Sequence, residues 1–126
     1  MIILSILIIN LVMANLPEET LMMVVNLLPR LFTVINLATA TEHNLFEQYG
    51  ETEATVYELQ QIKNAGERGR LFYNRLYGLV LQIAESQPVA NPDTIRLLYQ
   101  SIEQAQLTAD AVEATAQETK RSWNLP

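Results

Sequence analysis

Few residues of this chain are suited to chemistry. One histidine, His43, stands in TEHNLFEQ, and there is no cysteine. Zinc sites draw on several Cys, His or acidic ligands held together. His43 has Glu42 at i−1, a spacing that does not bring two side chains face to face on a helix. The Glu-x-x-His repeats of di-iron bundles are missing as well. The acid pairs Glu18/Glu19 and Glu51/Glu53 fall at expected helix starts, where the positive end of the helix dipole favours carboxylates without any catalytic role. Ser5, Ser86, Ser101 and Ser122 lack the GxSxG setting or a nearby histidine that would activate a hydroxyl. The expectation is a protein that is not an enzyme and has no catalytic residue, metal or cofactor.

The remaining candidate is a binding surface. The stretch KNAGERGRLFYNR, residues 63–75, holds four of the eight basic residues and one of the fourteen acidic ones. It carries +3, leaving −9 on the rest of a chain whose net charge is −6. On a continuous helix at 100° per residue, Arg68 and Arg75 share a face, and Lys63 and Arg70 lie roughly 160–220° around from Arg68. On a helix broken at Asn64-Ala65-Gly66, the backbone amides of residues 66–69 would form an anion-binding concavity flanked by Arg68 and Arg70. The segment is neither a phosphate-loop signature nor a dinucleotide fingerprint. Tyr73 and Tyr77 could stack on bases beside Arg70, Asn74 and Arg75, although Tyr73 also falls on the packing side. The plainer reading is a solvated, salt-bridged helix surface. Lys63, Arg68, Arg70 and Arg75 are the candidate basic contact.

The elements that must position these residues are helical. A chain of 126 residues, 49% hydrophobic and 17% charged, with four Gly and five Pro, suits one folded domain. The absence of cysteine favours a reducing, cytoplasmic setting, and the acidic balance argues against general affinity for nucleic acid or anionic lipid. No alternating apolar and polar run is long enough for a strand. The first block has Asn15 as an expected cap, Pro17 in its first turn and Gly50 as terminator. Its polar stripe of Asn26, Arg30, Thr33 and Asn36 is narrow, which predicts a mostly buried helix, kinked at Pro29. The second block, residues 51–87, carries the seam Leu59, Ile62, Gly66, Gly69, Tyr73, Leu76, Val80 and Ile83. The third opens on Asn91-Pro92-Asp93 and repeats Ile95, Leu98, Ile102, Ala105, Ala109, Val112, Ala116, Thr119 and Trp123 at threes and fours. Expected helices therefore span residues 16–49, 51–87 and 92–123.

Ahead of them stands MIILSILIINLVMA, residues 1–14, without a charged side chain. It is shorter than the about 20 residues a membrane-spanning helix needs, and it lacks the basic n-region of a signal peptide. It reads as a packing segment, or as a dispensable extension upstream of a start at Met13, with export or membrane attachment as the remaining reading. Residues 15–126 form the helical-bundle domain.

Leu71, Phe72, Tyr77, Leu79 and Leu81 surround the second helix instead of lining one side of it. A three-helix monomer cannot easily bury so much apolar surface, so these five are the candidate apolar partner contact. The reading is all-α: a compact bundle of three long helices, or four with the N-terminal segment, acting as a non-catalytic assembly or scaffold subunit. Its partner is another protein or further copies of itself. The first alternative is a small helical subunit of a nucleoprotein complex, such as a CRISPR effector, touching nucleic-acid backbone through its arginines. The second is a membrane-peripheral subunit held by residues 1–12, a reading against which the charge balance weighs.

Overall fold

The computed structural model describes residues 16–86 and 89–126, which form three long helices and no strand. They are α1 (Glu18–Tyr49), α2 (Val56–Ala84) and α3 (Pro92–Ser122), and each packs against the other two. This is the compact all-α bundle that the periodicity predicts. The expected cap Asn15, the segment 1–14 and the expected helix end at Gln87 lie outside the described residues.

The helix starts differ in how the sequence builds them. Asn91 caps α3 as its side chain accepts a hydrogen bond from the Asp93 amide at 2.7 Å, with Pro92 in the first turn. This is the arrangement expected of Asn-Pro-Asp. Pro17, not Asn15, is the N-cap of α1, and it makes no side-chain cap; Glu18 and Glu19 in the first turn face the dipole instead. Helix α2 begins at Val56, five residues later than Glu51. Residues 50–55 are held as a turn by hydroxyl groups: Thr55 Oγ1 donates to the Gly50 carbonyl at 2.7 Å and accepts from the Thr52 amide at 2.9 Å. Ser and Thr compete with helix through such local bonds, and Gly50 supplies the positive φ of 70°.

The core runs along the bundle axis. Leu21, Leu31, Leu45, Ile62, Leu76, Leu98 and Val112 are its largest fully buried apolar members. In α3 every expected seam residue is buried except Ile95 and Trp123, which are half-buried. In α2 the seam holds too, with Gly66, Tyr73 and Val80 half-buried. Small residues set the helix spacing. A Cβ on Gly69 would lie 2.9 Å from Ile35 Cγ1, and one on Gly66 would lie 3.6 Å from Ala38 Cβ. The α1–α2 approach thus depends on Gly69 having no side chain.

One expectation is corrected. Helix α1 is not mostly buried: Met22, Met23 and Phe32 are exposed although the segment around them is apolar. Three helices can cover only one side of α1, which buries Leu21, Val24, Leu27, Leu31, Val34 and Ala38, and nothing among the described residues covers the rest. Helix α1 also runs on through Pro29.

Candidate functional site

Helix α2 is continuous through Asn64, Gly66 and Gly69. The amide concavity that a break would have created is therefore not formed, and both glycines serve packing. Lys63, Arg68, Arg70 and Arg75 are all exposed, but they divide between two sides of the helix. Lys63 and Arg70 line the outer groove between α2 and α1, beside Ile35, Thr39 and Glu42. Arg68 and Arg75 lie away from it on the side toward α3, and the Arg75 guanidinium sits 5.1 Å from the Phe72 ring centroid. No ion pair among the described residues involves any of the four. The salt-bridged surface expected of them is not what holds them in place.

The apolar set divides in the same way. Residues seven apart on a helix share a side, within about 20°. Tyr77 follows Arg70 by seven and so faces the α1/α2 groove, with Leu81 one turn beyond. On the opposite wall Phe32 precedes Thr39 by seven, Leu28 precedes Ile35 by seven, and Val25 precedes Phe32 by seven. Phe72 and Leu79 instead turn toward α3 and pack partly against the core. Leu71 points outward. Within the groove Phe32 is 67% exposed, Tyr77 53% and Leu81 45%; Val25 and Leu28 are half-buried against the core.

The groove has two unlike ends. Toward the C-terminus of α1 it widens into a cleft of about 410 Å³ whose walls include Glu42, His43, Phe46, Glu51, Val56 and Lys63. His43 stands there with Glu42 and Glu51, yet no group of three His, Cys, Asp or Glu among the described residues could hold a metal ion. Toward the N-terminus of α1 the same spacing places Val25, Leu28 and Phe32 opposite Tyr77 and Leu81, an apolar stretch beyond which come Glu18, seven before Val25, and Glu85, one turn past Leu81. The Phe32 side of this surface was missed from sequence because α1 reads as buried. The recurrence of Val25, Phe32, Thr39 and Phe46 at intervals of seven is the signal that marks it.

The groove on the other flank of α1 is bridged by polar bonds, and beside Arg30 it still holds a cavity of about 250 Å³ lined by Met23, Asn26, Leu27 and Gln106. Arg30 donates to Asp110 at 2.6 Å and to Glu113 at 3.2 Å, and the Thr20 and Tyr99 hydroxyls lie 3.0 Å apart. The hydrogen bond to Asp110 is the largest influence and raises the Arg30 pKa above its ordinary value; burial opposes it, and the hydrogen bond to Glu113 and the charges of both acids add to the rise. At the far end the Tyr49 hydroxyl donates to the Trp123 carbonyl at 2.9 Å, and their rings meet edge to face. Helix α1 is also long and apolar enough to cross a membrane by length and composition, although a third of its most apolar window is buried in the bundle. No protein family, curated protein or solved structure matches the chain.

Proposed function

We propose that the protein is a non-catalytic helical assembly subunit, cytoplasmic in setting, that receives an apolar helix of a partner in the α1/α2 groove. The observation that carries this reading is the apolar stretch of the groove, where Phe32, Tyr77 and Leu81 keep about half or more of their surface in water. Fully burying such a side chain is worth about 1.5–3 kcal/mol, so covering what remains exposed on these three yields about 3 kcal/mol gross. That suits a helix-in-groove contact read through anchors a turn apart. Arg70 and Lys63 at the polar end would set the direction of a partner helix carrying acidic residues at one end.

The test compares copurifying proteins, quantified by mass spectrometry from the native host, for wild type, Phe32→Glu/Tyr77→Glu and the outward control Leu107→Glu. A partner lost only with the groove variant supports the reading. A partner set indifferent to the groove removes it.

The exposed cations without ion pairs favour a second reading, a nucleoprotein subunit that touches phosphates. Because they divide between two sides of α2, one strand would meet two of them at a time. Binding to a single-stranded oligonucleotide should then weaken with salt with a logarithmic slope near −0.7 per phosphate neutralised, so about −1.4 for two. Absence of salt-dependent binding removes this alternative.

A further inference from the structure

We propose that the partner helix is α2 of a second copy, and that two chains lay their α1/α2 faces together in antiparallel sense across a two-fold axis beside Tyr77. The inference rests on the assembly reading and names the occupant of that groove. Two exposed charges on α2 carry it. Glu85 is the C-cap of the helix, at the end where the helix dipole disfavours an acid. Arg70 is exposed on the groove side. Neither takes part in an ion pair among the described residues. Glu85 follows Arg70 by fifteen, about 22 Å along the helix and about 60° around it, so the two share a side of α2 and cannot meet within one chain. Tyr77 stands midway between them, 53% exposed. When a second α2 runs antiparallel with its centre there, Arg70 of each copy faces Glu85 of the other. One two-fold operation thus answers both charges on both chains.

The same register suits the apolar surface. Gly69 lies against Ile35 and Gly66 against Ala38, so along this antiparallel pair of helices Tyr77 is level with Leu27, Leu81 with Met23 and Glu85 with Glu19. An axis beside Tyr77 then brings Phe32 of each copy within about 3 Å of the level of Leu81 of the other. It also sets Tyr77 opposite Gly78. That glycine stands inside a helix with nothing within 4 Å of its missing Cβ, so its own chain gives it no packing reason; in the pair it leaves bare backbone for the tyrosine ring. A parallel pair would set Lys63 against Glu42, but it would gather four acids, Glu18 and Glu85 of both copies, at the other end and leave Arg70 unanswered. The antiparallel contact runs from the level of Glu18 to that of Arg70, about 25 Å by two helix widths of about 10 Å, or about 500 Å² per copy. The total of about 1,000 Å² reaches the lower end of what a specific interface buries.

The experiment measures self-association of the full chain by sedimentation equilibrium from about 1 μM to about 1 mM, with circular dichroism to confirm that each variant keeps its helices. A dimer is expected. Arg70→Glu alone, or Glu85→Arg alone, should raise its dissociation constant at least about tenfold, because each sets like charges against each other at both ends of the contact. Both substitutions in one chain should return the constant to within about threefold of wild type, and a mixture of the two single variants should form a heterodimer, since every facing pair is then again of opposite sign. Phe32→Glu/Tyr77→Glu should be monomeric. A wild-type chain that stays monomeric throughout overturns the inference and leaves the groove to a segment of its own chain or to a different protein. A dimer indifferent to the charge reversals and to the groove variant places the contact elsewhere and overturns it too, as does a loss that neither the double exchange nor the mixture restores. If the second copy fails in any of these ways while Phe32→Glu/Tyr77→Glu still loses a copurifying protein, the assembly reading stands with a different partner. If dimer and rescue are found while the copurifying proteins are indifferent to the groove, the second copy stands and the assembly reading is lost.

Discussion

The two flanks of α1 are built on different principles. On the α3 side, Arg30 reaches two acids, and Thr20 meets Tyr99 across the gap. On the α2 side no side-chain hydrogen bond or ion pair joins residues 25–46 to residues 56–81 among the described residues. That flank is held by close backbone approach at Gly66 and Gly69 and then opens into exposed Phe32, Tyr77 and Leu81. A groove bridged by polar groups resists a further helix, but only weakly, because exposed pairs of this kind are worth about 0–1 kcal/mol. A groove with apolar walls and no bridge leaves room for one. The difference distinguishes the two flanks without any catalytic feature to mark either.

The strongest way to break the contrast is to remove the core that both flanks share. Val112 is fully buried and lies within 4.0 Å of where a Gly69 side chain would begin. Val112→Asp places an unpaired carboxylate there at several kcal/mol, comparable with the whole stability of a small domain. Circular dichroism should show loss of the cooperative thermal transition, and an ordinary transition would place Val112 outside the core.

Smaller and of two signs are the effects of glycine replacement along α2. Gly78 has nothing near its missing Cβ and Gly66 has an ordinary contact, so alanine at either gains up to about 1 kcal/mol of helix propensity. At Gly69 the new methyl collides with Ile35 Cγ1, a branch close to its own backbone that cannot swing far. Overpacking of about 1–3 kcal/mol then outweighs the propensity gain. Melting temperatures should rise by about 3 °C for Gly78→Ala and fall by a similar amount for Gly69→Ala. A rise at Gly69 would mean that the two helices are not held at this spacing.

Most of the frame was legible in the sequence because helix periodicity and caps are local. The α3 seam and the Asn91-Pro92-Asp93 start needed no knowledge of other elements. Three features were not legible. The start of α2 depends on Thr55 finding the Gly50 carbonyl, a hydroxyl choice that competes with helix. The pairing of Arg30 with Asp110 and Glu113 spans about eighty residues of chain. The exposure of Phe32 follows from how many helices surround α1, and an apolar segment reads the same whether its outer side is covered or bare.

The polar flank should prove modest in energy. Arg30, Asp110 and Glu113 are all partly in water, and exposed pairs are worth about 0–1 kcal/mol. Arg30→Ala should lower the melting temperature by about 1–3 °C at low salt, and less at 0.5 M salt as screening weakens the pair. The raised pKa places this contribution below the guanidinium's ordinary range, to be lost only as the pH rises through the higher value of the folded state, so titration of Arg30 itself adds no pH dependence near neutrality. A loss of 10 °C would show that polar bridging, and not packing, joins α1 to α3.

The smallest stability change is expected on the outer side of α2. Arg68, Arg70 and Arg75 are exposed, and the one interaction among them, Arg75 over Phe72, is worth about 0.5–1 kcal/mol at an exposed site. Replacing all three by Glu takes the net charge from −6 to −12, which adds some repulsion, notably between residue 70 and Glu67 one turn away. Surface substitutions of this kind usually fall within about 0.5 kcal/mol each, so the melting temperature should move by no more than a few degrees while the helical spectrum is retained. Unfolding would show that these arginines hold the helices together. The same folded variant then separates the two binding surfaces: Phe32→Glu/Tyr77→Glu leaves every cation in place, whereas the arginine variant leaves every apolar wall in place. If the native partner survives the arginine variant and is lost with the groove variant, recognition resides in the open flank of α1. If the reverse holds, and the binding weakens steeply with salt, the contact is to an anionic partner and the apolar groove serves the fold of the chain itself.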